Sequence, residues 1–139
     1  MDLAMSPGKH FVLVVDPNGH RGRALASELR SVGCYASVAG SGEEALGYSI
    51  ENEPDAILSD WNLPDVPALD LARRLKALSS RTKILFQKNE ADWRLLRQVL
   101  ECGGDDLLCR PFSIGQLIRI LNRMLRRTSR TDRVLQPSP

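Results

Sequence analysis

The stretch Ala56-Ile57-Leu58-Ser59-Asp60-Trp61-Asn62-Leu63-Pro64 decides the fold. A short apolar run bounded by turn formers suits a strand covered on both faces, as strands of a parallel sheet are. The run stops at a carboxylate, and an asparagine and a proline follow within the next four residues. Asp60 therefore falls at the carboxyl end of a buried strand, the rim where open α/β sheets place their chemistry.

Working outward, Phe11-Val12-Leu13-Val14-Val15 is a second unbroken apolar run, and it too ends in an acid, Asp16. Pro17-Asn18-Gly19 makes a turn, and a helix is expected over 21–32, with Leu25, Leu29 and Val32 on one face. Gly33 stops it, as glycine does just past a helix end. Residues 35–39 form a less apolar strand suited to an edge. Ser41 and Glu44 have capping-box spacing for a second helix through Ile50. Beyond the opening strand, 63–67 is a proline-rich loop, and Leu71, Leu75 and Leu78 mark a third helix. A fourth strand is expected over 83–87. Leu95, Val99 and Cys102 mark a fourth helix, ended by Gly103-Gly104, and 106–109 is a fifth strand closed by Arg110-Pro111.

The last helix is expected over 114–127. Its apolar arc holds Ile114, Leu117, Ile118, Leu121, Met124 and Leu125, with Arg119, Arg123, Arg126 and Arg127 opposite. Residues 1–10 read as an N-terminal extension, 11–127 as one domain, and 128–139, polar with two prolines, as a flexible tail or linker. Strands and helices alternating at roughly 20 to 28 residues mean parallel pairing with right-handed crossovers. The fold class is α/β, a doubly wound five-stranded parallel sheet with five helices. The order 2-1-3-4-5 sets the two acid-terminated strands side by side, bringing Asp16 and Asp60 together at the switch point.

Bulk properties narrow the function classes. A chain of 139 residues with 42% hydrophobic and 26% charged residues has enough apolar material for one core, which argues against wholesale disorder. No run approaches the ~18 apolar residues that a membrane span needs. Residues 1–10 lack the basic-then-apolar pattern of a signal peptide, and three cysteines without metal spacing fit a reduced, cytoplasmic protein. The net charge of +2 hides a split: from Arg110 onward there are seven arginines and one acid, against 12 basic and 16 acidic residues before it. That suggests an acidic mouth and a basic tail.

Val14-Val15-Asp16, Asp60-Trp61-Asn62-Leu63-Pro64, Gly103-Gly104-Asp105-Asp106 and Arg110-Pro111-Phe112, in this order on a βα repeat, resemble the receiver domain of two-component response regulators. The resemblance covers about residues 11–127 and implies a flavodoxin-like sheet. It also implies a role in phosphorelay signal transduction, in which a histidine kinase or phosphotransfer protein donates a phosphoryl group to Asp60. Such transfer depends on positioning and on neutralising oxygen charge. In the family, Mg²⁺ bridges the acceptor carboxylate, acids after strand one and a backbone carbonyl, here Asp60, Asp16 and Asn62. Output is expected through the face made by helix four, strand five and helix five.

Several expected residues are replaced. Pro17 stands where the second acid of the first strand normally touches the metal, so Mg²⁺ binding is expected to be weak or absent. Counting back from Arg110-Pro111 puts Lys88, with Gln87 beside it, at the hydroxyl position of strand four. Arg110 replaces a lysine, and Ala68 a glycine. An atypical receiver follows, in which Lys88 and Arg110 are expected to face Asp16 and Asp60 and to stand in for the metal.

Two function classes compete: a receiver that accepts a phosphoryl group on Asp60 weakly or slowly, and a phosphorylation-independent pseudo-receiver with a cation-locked site. Neither is an enzyme beyond autocatalysed phosphoryl acceptance. A small-ligand enzyme is disfavoured, because only Gly19 and Gly22 follow strand one and no phosphate-cradling loop forms. Asp105 and Asp106 read as structural, and His10 and His20 as incidental. Trp61 is expected beside the pocket mouth and Trp93 on the exposed end of helix four, while the cysteines read as buried apolar groups. The last helix's arginines read as a solvated face, with an acidic protein partner the next choice and nucleic acid disfavoured for want of a recognition motif. Its broad apolar arc leaves room for a homodimer face. No output domain is visible, which leaves a stand-alone regulator or a receiver from a longer chain.

Overall fold

The apolar runs form a parallel sheet in the computed structural model, which describes residues 10–90 and 92–135, with side chains through Arg126. In chain order the elements are β1 Phe11–Val15, α1 Gly19–Ser31, β2 Tyr35–Ala39, α2 Gly42–Asn52, β3 Ala56–Asp60, α3 Ala68–Leu78, β4 Lys83–Lys88, α4 Trp93–Glu101, β5 Asp106–Cys109 and α5 Ile114–Leu135. The strand order is β2-β1-β3-β4-β5, as expected, and all pairings are parallel.

Alternation along each strand divides the core. Val12, Val14, Ala56, Leu58 and Leu85 pack with α1 and α5, whereas Leu13, Val15, Ile57, Ile84 and Phe86 pack with α2, α3 and α4. Every residue of β3 is buried, which is why it reads as a run without polar alternation. Helix ends follow local chemistry. Gly33 has φ 100, a left-handed conformation open to glycine without strain. Ser41 accepts from the Glu44 N–H at 3.1 Å, while the Glu44 carboxylate reaches back to the Gly40 N–H.

Four expectations need correction. The first helix starts at Gly19, not Arg21, because Asn18 is its N-cap and accepts from the Arg21 N–H at 3.0 Å. The last helix passes Arg127 and reaches Leu135, since no glycine or proline stands between Arg127 and Pro137. The expected flexible tail is thus helical over its first part; 136–139 and the 1–9 part of the extension lie outside the described residues. The apolar arc of α5 is core rather than free surface: Leu117, Ile118, Leu121, Met124 and Leu125 are all buried against the sheet and α1. Cys109 is exposed, on the edge strand β5, although Cys34 and Cys102 are buried as expected.

Candidate functional site at the carboxyl ends of β1 and β3

The β1–β3 register pairs Val15 with Ser59, so the next residues, Asp16 and Asp60, stand side by side at the rim. Both point to the α1/α5 side by alternation, sharing parity with Val14 and Leu58. Their side chains are 0% and 5% exposed. Carboxylates so far out of water require partners. Each takes one from its own turn: Asn18 N–H donates to Asp16 Oδ1 at 2.9 Å, and Asn62 N–H to Asp60 Oδ1 at 3.0 Å.

The principal partner is Arg21, which the sequence analysis did not single out. Its Nε donates to Asp16 Oδ2 at 2.7 Å and its Nη2 to Asp16 Oδ1 at 2.9 Å, a bidentate fork. The same Nη2 donates to Asp60 Oδ2 at 2.7 Å, so one guanidinium clasps both strand ends. The hydrogen bond to Asp16 raises the Arg21 pKa most; burial opposes it, and the charges of Asp16 and Asp60 add to it. A cation in the first turn of a helix opposes the helix dipole, at a cost of about 0.3–1 kcal/mol. Losing Arg21 would leave two buried carboxylates without that partner, which typically costs about 3–5 kcal/mol and exceeds the dipole penalty. Gly22 helps bring the helix close: a Cβ there would lie 3.1 Å from Val38 Cγ1 and 3.3 Å from Asp16 Cβ.

Arg110 follows β5, and its Nη2 lies 3.4 Å from Asp60 Oδ1, a longer and weaker contact than that of Arg21. Its Nε donates to Asn89 Oδ1 at 2.8 Å. Lys88 is not brought to the aspartates. It shares parity with Ile84 and Phe86, on the opposite face of the sheet from Asp16 and Asp60. It lines a cavity of about 400 Å³ with Glu90, Asp92, Arg94, Leu95 and Gln98. Among the described residues no ion pair joins Lys88 to either aspartate. Gln87 instead pairs with Asp60 in the register, 1% exposed, and its carboxamide has no hydrogen-bond partner among the described residues.

The loop after β3 is tied down. Asp65 accepts from Gly42 N–H at 3.0 Å and Glu43 N–H at 2.9 Å, capping α2 from another segment. The Glu43 N–H, with that of Gly42, holds the Asp65 carboxyl below its usual range. Ala68 begins α3 and is buried. Trp61 packs edge-on against Phe86, 5.2 Å between centroids.

A divalent cation does not fit this arrangement. The two carboxylates that would hold it already share the Nη2 of Arg21, all four of their oxygens accept hydrogen bonds, and Pro17 supplies no third acid. Among the described residues no group of three or more His, Cys, Asp or Glu side chains could hold a metal ion. The signal that points to Arg21 is its place three residues past a capping asparagine and five past Asp16, in a helix start otherwise without acids.

Comparison with known proteins agrees with the topology. Residues 12–122 match the family model described as the response regulator receiver domain. The chain is 34% identical over 125 residues to the phosphate regulon transcriptional regulatory protein PhoB of Pseudomonas aeruginosa, covering 87% of this chain and 54% of PhoB. It is 34% identical over 122 residues to the transcriptional regulatory protein PrrA of Mycobacterium tuberculosis, covering 86% and 52%. It thus spans about half the length of these curated relatives. Among solved structures, the Francisella response regulator 1452 receiver domain superposes with a TM-score of 0.79 at 28% identity, covering 86% of this chain and 99% of that one. A CheY-like receiver domain protein from Methanospirillum hungatei, at 22% identity, shares the fold with a TM-score of 0.80, covering 88% and 98%. With the strand order, the paired rim aspartates and these matches in agreement, the chain belongs to the response regulator receiver domain family.

Proposed function

We propose that this receiver accepts a phosphoryl group on Asp60 weakly or slowly and signals chiefly through protein contacts. The observation that carries it is the Arg21 guanidinium, 2.7 Å from both Asp16 Oδ2 and Asp60 Oδ2. Transfer forms a bond from an Asp60 oxygen to phosphorus while the donor's bond to phosphorus breaks and the donor keeps the electron pair. The attacking oxygen must first give up a charge-assisted hydrogen bond, which raises the barrier. The Arg110 guanidinium, 3.4 Å from Asp60 Oδ1, would meet the new negative charge, whereas among the described residues Lys88 makes no ion pair with Asp60. Arg21 takes the neutralising role expected of Lys88.

The phosphoryl donor is a histidine kinase or phosphotransfer protein, in a cytoplasmic setting, and no enzyme activity beyond autocatalysed acceptance is assigned. The downstream partner is a protein that docks on α4, β5 and α5. That face presents Trp93, 65% exposed, with Arg94 and Arg97 against its ring, besides Arg119, Arg123 and Arg126. PhoB and PrrA are transcriptional regulators by name. For this chain, control of transcription would run through a further segment or a separate protein, because the α5 arginines lack a base-reading motif.

The second reading, a phosphorylation-independent binding module, is favoured by the bidentate fork on Asp16, which holds the site in one state. Incubation with acetyl phosphate, followed by intact-mass measurement over time, separates the two. Slow gain of one phosphoryl group, absent in Asp60→Asn, is expected. No gain, with partner binding unchanged in Asp60→Asn, moves the function to the second reading.

A further inference from the structure

The guanidinium of Arg21 stands between the two carboxylates that a receiver uses for its metal, and Pro17 removes the third acid. We propose that Arg21 is a built-in counter-cation, a plug that excludes divalent metal from the Asp16/Asp60 site and makes its conformation independent of Mg²⁺. This deepens the reading above and rests on it for the place of Asp60.

The chemistry favours the plug over the ion. Mg²⁺ demands near-octahedral oxygen ligation at 2.0–2.1 Å and dehydrates reluctantly, so it competes poorly for carboxylates already neutralised by a tethered cation. Arginine stays charged throughout the accessible pH range, so the plug is not released by its own deprotonation. Its fork matches the carboxylate plane, which a lysine ammonium cannot do. Arg21 is also tethered by its helix, whose N-cap Asn18 accepts from the Arg21 N–H itself. Removing the side chain leaves two carboxylates on neighbouring strands whose one remaining ion pair among the described residues is that of Arg110 with Asp60, at 3.4 Å. Such a pair attracts a dication.

The test is an Mg²⁺ titration of the wild-type chain and of Arg21→Met, each carrying Trp93→Phe so that Trp61 is the sole tryptophan. Binding is read from Trp61 emission and from the unfolding midpoint, which a ligand of the native state raises. The expected result is no saturable response in the wild-type site up to 10 mM, and in Arg21→Met an apparent affinity about tenfold or more stronger. That response is expected to vanish when Asp60→Asn is added. Arg21→Lys, which keeps the charge and loses the fork, is expected to fall between them, and it serves if Arg21→Met does not fold. Equal Mg²⁺ response in the wild type and the Arg21 variants, whether both bind or neither does, overturns the plug. Phosphoryl gain on Asp60 of the wild type is a separate measurement, so the plug can fail with the slow-receiver reading intact, and the reverse.

Discussion

The two ends of the sheet each hold carboxylates clasped by cations, one acid at the amino ends and two at the carboxyl ends, and they are built differently. At the amino ends of β4 and β5, Asp105 Oδ2 accepts from the Ile84 N–H at 2.8 Å, while Lys76 and Lys83 lie 3.1 and 3.6 Å from its carboxylate. That acid bonds to backbone 21 residues away, so it fastens one strand to the turn before the next. At the carboxyl ends of β1 and β3 the backbone donors to Asp16 and Asp60 are only two residues on, and the long-range link is made by side chains alone. A cluster anchored on backbone is a structural clamp. A cluster anchored on one guanidinium is a state that a single side chain can end.

This contrast can be broken most directly by Arg21→Met. Removing the shared cation from two buried carboxylates is expected to cost about 3 kcal/mol, read as the fall in ΔG of urea unfolding. A loss below about 1 kcal/mol would mean that Arg110 or solvent already carries those charges. Asp105→Ala should come next, at about 2 kcal/mol, because it strands the Ile84 N–H as well as two ammonium groups. Lys83→Met should lose less than about 1 kcal/mol in the same assay, since Lys76 remains as a nearer partner of a part-exposed acid. Lys88→Ala tests the face assignment: a change within about 0.5 kcal/mol, with the phosphoryl gain on Asp60 unaltered, is expected for a side chain on the far side of the sheet.

The smallest effect concerns pH. Asp65 has a folded pKa below its unfolded one, through the N–H groups of Glu43 and Gly42. The sign follows: its contribution is present above the ordinary aspartate value, about 3.9, and is lost as pH falls through the lower folded value. Wild-type stability should therefore drop more steeply below about pH 4 than that of Asp65→Asn, with the two curves parallel near neutrality. Identical acid limbs would separate the cap on α2 from stability.

Much of the fold was legible because parallel strands are buried on both faces and leave unbroken apolar runs. The runs of β1 and β3 ended in acids, and their adjacency followed from the alternation of strands and helices. The capping pair Ser41 and Glu44 was readable for the same local reason. Lys88 shows where counting misleads. Its spacing from Arg110-Pro111 pointed to the site, but alternation along β4 turns it away and places Gln87 on the row of Asp60. That parity is legible in the run Ile84-Leu85-Phe86, whose alternate residues face opposite sides of the sheet. Arg21 is hidden because Pro17-Asn18-Gly19 has the composition of a turn, whereas Asn18 caps a helix that starts at Gly19.

The sequence by itself determined the order of elements, the rim position of Asp16 and Asp60, and the loss of the second acid at Pro17. Each depends on residues near in the chain or on a period of two. Which cation answers the acids was decided only by tertiary structure. Three cations, Arg21, Lys88 and Arg110, are candidates, and the choice depends on the strand face, the helix start and the difference between a contact at 2.7 Å and one at 3.4 Å. Long flexible side chains reach in many directions, and packing alone selects the one that arrives.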